Sequence, residues 1–281
     1  MRTLLGGGFF FESPRWHDGR WWVSDFFGKV VQTVDANGHV EEIARVEAQP
    51  SGLGWLPDGS LLVVSMRDRR VLKQAGDGEL HVHADLAEFC DWHANDMVVG
   101  ANGRAYVGNF GFDLDGADPT PTNVVRVDPD GSACVAADGL MFPNGSVITP
   151  DGRTLIVGET FGRRYTAFTI ADDGSLADRR VWADLRAARI APDGCALDAE
   201  GCIWSADAAH ERCCRIAEGG EVLAEVALPV GLRCFACMLG GEDGRTLLLC
   251  GAPDYDARRR SESREGVLLT TRVTVPHAGL P

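Results

Sequence analysis

The amino-acid sequence predicts an all-β fold, a six-bladed β-propeller whose blades each contain four strands. Two observations support this prediction. A turn dipeptide, Asp-Gly or a near equivalent, recurs six times at intervals of 40 to 49 residues, and a short β-prone run follows each turn. Four short strands in a repeat of about 40–45 residues are typical of a propeller blade, whereas a two-sheet sandwich requires no such period. The turns are Asp18-Gly19, Asp58-Gly59, Asn102-Gly103, Asp151-Gly152, Glu200-Gly201 and Asp243-Gly244.

Each predicted blade begins with a hairpin across one of these turns, because Asp-Gly between two apolar runs favours a tight hairpin. Most units then show two further strand candidates, such as residues 30–34 and 40–44 in the first unit. Six units account for nearly all of the 281 residues, so we predict a single propeller domain spanning residues 1–281. A closed ring needs partners for its end strands, and we expect residues 4–11 to pair with residues 267–275.

Helical patterns are weak throughout the chain. The best candidate covers residues 178–188, which we interpret as a short helix or a loop. The charged run Arg258-Arg259-Arg260-Ser261-Glu262 is expected to be a loop on the surface, because connecting segments usually run over the outside of a domain. Glu159 is expected either to support a metal ligand from behind or to form a salt bridge with Arg163 or Arg164, and we favour the salt bridge.

Composition and charge restrict the partners of the protein. The chain carries 27 Lys and Arg against 41 Asp and Glu, a formal net charge of −14, which makes nucleic acid or an anionic membrane an unfavourable partner. No run approaches the roughly 18 apolar residues of a membrane helix, and residues 1–5 are too short for the core of a signal peptide. We therefore expect a cytoplasmic protein, a monomer or weak homo-oligomer, with a small-molecule partner.

The nine cysteines are expected to be reduced in that compartment. Cys234 and Cys237 have the spacing of one half of a zinc knuckle, but no second pair accompanies them. They also lie within an apolar, strand-like run. We therefore interpret them as buried and inert thiols, since free cysteine packs as a small hydrophobic residue.

One position in every repeat, six or seven residues before the turn, is expected to open the innermost strand. Equivalent positions in a propeller lie at one height around the axis, so their side chains would form a ring at one end of the channel. Alone, most of these residues would be interpreted as turns, caps or solvated charges. Together, two carboxylates and two amides suit a hard divalent cation, with Ca²⁺ favoured over Mg²⁺ and Mn²⁺. Zn²⁺ stays possible, although thiolate and imidazole are absent from the ring. The ring residues are Glu12, Ser51, Asn95, Asn144, Asp193 and Ala236.

Four separated motifs resemble those of the senescence-marker-protein/gluconolactonase family, which includes regucalcin. They occur in order within the repeat, and the resemblance extends almost from end to end. The motifs are Phe11-Glu12-Ser13-Pro14-Arg15-Trp16, Asn95-Asp96-Met97, Phe142-Pro143-Asn144-Gly145 and Pro192-Asp193-Gly194.

The resemblance implies a six-bladed propeller with one catalytic divalent metal in its central channel and an activity that hydrolyses lactones. Residue by residue, it implies that Glu12, Asn144 and Asp193 are the metal ligands. Asn95 would lie beside the metal and contact substrate or water. The sequence differs from the family at His93, where members that act on sugar lactones can carry an arginine. A histidine there offers less fixed charge, so sugar-acid lactones become less favoured.

The far ends of the second strands are expected to return to the mouth of the channel. Phe26, Met66 and Phe110 lie at such positions and would form an apolar vestibule for substrate, with His93 at its edge. We predict a metal-dependent lactonase in which Asp193 positions the attacking water and accepts its proton, while Asn95 orients the substrate. Two alternatives stay open: a phosphotriester hydrolase using the same metal, and a calcium-binding propeller without catalysis.

Overall fold

The computed structural model describes residues 1–279. It contains six four-stranded antiparallel sheets arranged as the blades of a propeller, and this confirms the predicted fold. The chain starts with β1 (Arg2–Gly8), which belongs to the last blade. Blade one contains β2 (Phe11–His17), β3 (Arg20–Asp25), β4 (Val30–Val34) and β5 (Val40–Arg45). Blade two contains β6 (Pro50–Trp55), β7 (Leu61–Ser65), β8 (Arg70–Gln74) and β9 (Leu80–Asp85).

The next three blades repeat this order. Blade three contains β10 (Ala94–Val99), β11 (Ala105–Asn109), β12 (Thr122–Val127) and β13 (Ala133–Leu140). Blade four contains β14 (Pro143–Ile148), β15 (Thr154–Glu159), β16 (Arg164–Ile170) and β17 (Leu176–Asp184). Blade five contains β18 (Pro192–Leu197), β19 (Ile203–Asp207), β20 (Arg212–Ile216) and β21 (Val222–Ala227). Blade six contains β22 (Arg233–Gly240), β23 (Thr246–Ala252), a short helix α1 (Ala257–Glu262), β24 (Gly266–Arg272) and finally β1.

The ring closes within blade six, where β1 pairs with β24 in an antiparallel register that places Arg2 opposite Thr270. This confirms the predicted pairing of the two end segments, although Phe11 already begins blade one. The innermost strand of each blade packs against those of its two neighbours, including β22 against β2. Blades six and one therefore adjoin, and they lie opposite blades three and four.

The six predicted turns all connect the first and second strands of a blade. Their glycines have φ angles between 70° and 83°, a left-handed conformation in which a side chain would be strained. The spaces between blades are filled by aliphatic and aromatic side chains; one such cluster contains Trp21, Leu239 and Leu248. The turns therefore set the repeat, and the buried faces hold neighbouring blades together.

Two local predictions were wrong. Residues 178–188 are not helical, because residues up to 184 continue β17, the outer strand of blade four. That strand is exposed over most of its length, so its charged residues hide the alternating pattern of a strand. Residues 258–262 are not a loop but form most of α1. Within it, Arg260 is only 2% exposed, and its charge is compensated by Asp254 and Glu265.

The expected Glu159 salt bridge and the expected burial of Cys234 and Cys237 are confirmed. Arg164 Nε lies 2.7 Å from Glu159 Oε1, which is the expected salt bridge. All nine cysteines are free, eight of them are buried, and burial raises the pKa of Cys234. Across residues 1–279, no helix is long and apolar enough to cross a membrane.

Candidate functional site

A β-bulge begins at the ring position in blades two to five. In blade four, Pro143 pairs with Glu159 and Ser146 pairs with Val157, so two residues on β14 oppose one on β15. Bulges redirect side chains and are common beside active sites. The innermost strands also approach closely there, since a Cβ added at Gly145 would lie 2.3 Å from the Asp193 backbone oxygen. The equivalent bulges begin after Pro50, Ala94 and Pro192.

Four ring side chains line one cavity of about 770 Å³, although each is almost fully buried in the protein. These are Glu12, Asn95, Asn144 and Asp193, with exposures of 5–7%. The remaining two ring residues, Ser51 and Ala236, are fully buried. The chain thus brings together two carboxylates and two amides at the cavity floor, from blades one, three, four and five.

Three buried carboxylates hold the backbone segments that lead into the innermost strands of blades one, four and five. Each ends the second strand of its blade and accepts a hydrogen bond from a backbone N–H shortly before the first strand. The pairs are Asp25 with Phe10 at 3.1 Å, Glu159 with Met141 at 2.8 Å and Asp207 with Ala191 at 3.1 Å. Burial alone would raise the pKa of Glu159, but Arg164, Thr166 and the Met141 N–H hold it below its ordinary value. These bonds hold the ring residues of three blades in place.

The two carboxylates of the floor are electrostatically unfavourable when no cation is present. Burial raises the pKa of Glu12 well above its ordinary value, and repulsion from Asp193 adds to this. Burial likewise raises the pKa of Asp193, with a further contribution from Asp96, while the Asn144 side chain and the Gly194 N–H act in the opposite direction. Neither carboxylate has an ion-pair partner among residues 1–279. A buried negative charge without a partner favours binding of a cation.

The orientation of the Asn144 amide follows from its hydrogen bonds. The Thr160 hydroxyl donates its hydrogen to the Pro192 carbonyl oxygen at 2.8 Å. Its oxygen must therefore accept at its contact with Asn144, so the amide nitrogen Nδ2 faces Thr160 at 3.1 Å. Among the described residues 1–279, nothing donates a hydrogen bond to the carbonyl oxygen Oδ1 of Asn144, and it is the atom that a hard cation would use.

These donors fit a hard divalent cation on chemical grounds. Two carboxylates and an amide carbonyl are oxygen ligands, which Ca²⁺ and Mg²⁺ prefer. Within residues 1–279, no three His, Cys, Asp or Glu side chains converge on a point. The oxygen donors of the floor are therefore two carboxylates and the two amide carbonyls of Asn95 and Asn144.

An ion pair lies directly beyond the ring. Arg15 Nη2 is 2.9 Å from Asp96 Oδ1 and also donates to the Met97 carbonyl oxygen at 2.6 Å. Both side chains are 7% exposed. The arginine links the innermost strands of blades one and three, and its guanidinium is paired with Asp96.

Aromatic side chains form two walls above the floor. The first, wall A, belongs to blades six and one; its rings are in contact, as Phe10 and Phe235 show with centroids 4.8 Å apart. The second, wall B, belongs to blades three and four, where the Phe110 and Phe142 centroids are 4.6 Å apart. Wall A consists of Phe10, Phe26, Phe27, Phe235 and Tyr255. Wall B consists of Trp92, His93, Phe110, Phe142 and Phe161.

His93 is part of wall B. Its ring stacks on Trp92 at a centroid distance of 5.0 Å and meets Phe110 edge-on at 5.5 Å. Burial lowers the pKa of His93 to about 4, and the positive charge of Arg67 contributes. The imidazole is therefore neutral at pH 7 and adds to the aromatic surface.

All of the side chains that the sequence selected for substrate contact line this cavity: Phe26, Met66, His93, Asn95 and Phe110. Sequence reasoning missed most of the two walls. Phe142 begins one of the four motifs and Phe235 directly precedes the ring residue Ala236, so both could have been assigned to the cavity, whereas Phe161 and Tyr255 lie in unrelated segments. It also missed the Thr160 hydrogen bonds, which no sequence pattern indicates.

Residues 10–252 match the sequence profile of the family described as the SMP-30/Gluconolactonase/LRE-like region. The chain belongs to this family. The matched region contains every residue of the cavity floor. It ends at the last residue of β23, so Tyr255 and α1 lie outside it. The region matched to the family thus includes the floor and every wall residue except Tyr255.

Two relatives of this chain are named as lactonases. A 6-deoxy-6-sulfogluconolactonase from Pseudomonas putida is 30% identical over 190 residues, 66% of this chain and 64% of that protein. A pentonolactonase from Haloferax volcanii is 25% identical over 199 residues, 69% of this chain and 65% of that protein. The alignments thus cover slightly less than two thirds of each relative. The structure of a gluconolactonase from Xanthomonas campestris superimposes with a TM-score of 0.76 at 25% identity, covering 98% of this chain and 88% of that one.

Proposed function

We propose that the protein is a divalent-metal-dependent hydrolase that opens a lactone ring. The observation that carries this proposal is the cavity floor, where two buried carboxylates without cationic partners meet two amides. The lactonase names of its relatives support the reaction class. In this proposal Glu12, Asn144 and Asp193 hold the metal, with Ca²⁺ the best match to their hard oxygen donors.

The chemistry divides between the metal and the chain. A bound divalent cation would act as a Lewis acid towards the ester carbonyl oxygen. Hydrolysis adds water across the acyl C–O bond and yields a hydroxy acid. Asp193 positions the attacking water and accepts its proton. Asn95 orients the substrate through its amide, whose one hydrogen bond within residues 1–279, to the Pro143 carbonyl oxygen, is long at 3.5 Å.

Chelation and metal restoration test the proposal. Hydrolysis of a lactone panel is followed by pH drop with chelated protein and again after adding Ca²⁺, Mg²⁺, Mn²⁺ or Zn²⁺. We expect turnover to disappear with chelation and return with metal. The restoring ion should also stabilise the fold by about 2.7 kcal/mol at a hundredfold excess over its dissociation constant, measured by thermal unfolding.

Three outcomes of this test would contradict the proposal. Full turnover after complete chelation would show that the reaction needs no metal. Stabilisation by Ca²⁺ with no turnover of any lactone would instead indicate a binding protein. Turnover of a phosphotriester in a parallel assay, without turnover of lactones, would assign the site to a different hydrolase.

Thr160→Val tests whether the orientation of Asn144 matters for the metal. Valine keeps the volume but removes the hydroxyl that fixes the amide. We expect metal affinity to fall about 10–100-fold, as measured by calorimetric titration, because groups that orient ligands have effects of this size.

Thr122→Val is the matched control for this substitution. It removes another buried threonine–asparagine hydrogen bond, from Thr122 Oγ1 to Asn109 Oδ1 at 2.6 Å, away from the cavity floor. It should leave metal affinity unchanged. An equal effect of both substitutions would show that Thr160 has no special role in the site.

A further inference from the structure

The two aromatic walls face each other across the propeller axis. Wall A lies on blades six and one and wall B on blades three and four, which are opposite in a six-membered ring. The rings of wall B form a continuous series, with Phe142 5.3 Å from Phe161 and 4.6 Å from Phe110. In wall A, Phe10 contacts Phe26 at 5.5 Å. The space above the floor is thus bounded by aromatic rings on two opposite sides.

The backbone holds the centre of wall B in a strained conformation. Phe142 has a φ of 60°, which is rare for a large side chain, and it is 5% exposed. Residues held in sparsely populated conformations cluster at functional sites. In this conformation the Phe142 ring lies between those of Phe110 and Phe161. The backbone therefore holds the aromatic surface in place.

The aromatic walls provide few hydrogen-bond partners for the hydroxyl groups of a bound lactone. The hydroxyl of Thr160, which also lines the cavity, already donates to Pro192 and accepts from Asn144. The other polar side chains of the cavity lie outside the two walls. Arg67, Asp115 and Arg163 are exposed, Asp113 and Arg233 are half-buried, and Gln49 is buried. Each hydroxyl of a polyhydroxylated lactone that lost water against these rings would weaken binding about tenfold or more. Apolar substituents would gain affinity there.

We infer that the substrate is a lactone carrying an apolar substituent, preferably an aromatic ring, and not a polyhydroxylated sugar lactone. This inference rests on the proposed lactonase function. The lactone carbonyl would lie at the polar floor, and the substituent would lie between walls A and B. An aromatic substituent fits because rings contact each other favourably in tilted and edge-on arrangements, as those of the walls already do.

The test compares lactones that share a six-membered ring: δ-valerolactone, δ-hexalactone, δ-octalactone, dihydrocoumarin and D-glucono-δ-lactone. The kcat/KM of the metal-loaded protein for each is divided by the rate of its uncatalysed hydrolysis. We expect a rise of about fourfold per methylene along the alkyl series. Dihydrocoumarin should exceed D-glucono-δ-lactone by about a hundredfold or more.

Variants in both walls locate the effect. Phe161→Ala and Tyr255→Ala change rings that are 43% and 54% exposed, so the fold should be retained. Each should reduce kcat/KM for dihydrocoumarin about tenfold more than for δ-valerolactone. Val181→Ala, at a 57% exposed position on β17 outside the cavity, is the control and should change neither value.

The outcomes separate this inference from the proposed function. Preference for D-glucono-δ-lactone, or an equal loss for all lactones in the wall variants, would overturn the inference while lactonase activity stands. Absence of turnover of every lactone, with metal bound, would overturn the proposed function itself. A graded preference that the wall variants flatten would support both.

Discussion

Asp193→Asn and Glu12→Gln should each lower kcat/KM for the best lactone by at least about 10³-fold. Each amide keeps the shape of the side chain but removes a charged oxygen ligand, and at Asp193 it also removes the proton acceptor. Steady-state kinetics at saturating metal and calorimetric metal titration measure the two losses. Full activity and unchanged metal affinity in a folded variant would eliminate that residue from the site.

The same substitutions should make the metal-free protein more stable, by about 0.5–2 kcal/mol, as often happens when an active-site charge is removed. The reason is that the pKa of both carboxyls is raised in the folded chain, above ordinary values of 3.8 for Asp and 4.5 for Glu. The folded state therefore binds more protons than the unfolded state. The free energy of unfolding of the metal-free wild type should fall as pH rises above about 4. Chemical unfolding at several pH values should show a smaller fall in Asp193→Asn.

Arg15→Met should destabilise the protein by about 3–5 kcal/mol, measured by urea unfolding. Methionine fills part of the space of the arginine but leaves Asp96 buried without its cation. Asp96 is 7% exposed, so water cannot replace the lost partner. Adding Asp96→Asn to this variant should recover part of the loss, because it removes the unpaired charge.

Lys29→Met is the matched control for Arg15→Met. It breaks the pair between Lys29 Nζ and Glu47 Oε2, 3.0 Å apart, in which the side chains are 46% and 79% exposed. An exposed pair contributes at most about 1 kcal/mol. Similar losses in both variants would mean that the Arg15–Asp96 pair is no more important than a surface contact.

The sequence was sufficient for the fold because one local signal repeats. Every blade places a glycine-containing turn after its innermost strand, and this fixes the same register six times. The floor residues could be selected for the same reason, since Asn144 and Asp193 occupy equivalent positions relative to those turns. The repeat alone is enough to place them around one axis.

The rest of the site depends on contacts that no repeat encodes. Phe161 and Tyr255 are far apart in the sequence, and only closure of the ring places them around one cavity. The orientation of the Asn144 amide depends on the Thr160 hydroxyl and a carbonyl in the next blade. Local patterns also fail where charge conceals a regular element, as in β17 and α1.

The pairing of β1 with β24 has a consequence for biosynthesis. These strands are separated by more than 250 residues, so β1 leaves the ribosome long before its partner exists. At about 5–20 residues per second, the nascent chain would carry β1 unpaired for roughly 10–50 seconds. During this interval an exposed strand can join to other chains, which makes early binding by a chaperone valuable. The ring closes only when β24 has been translated and pairs with β1, so the cavity at the axis is completed last.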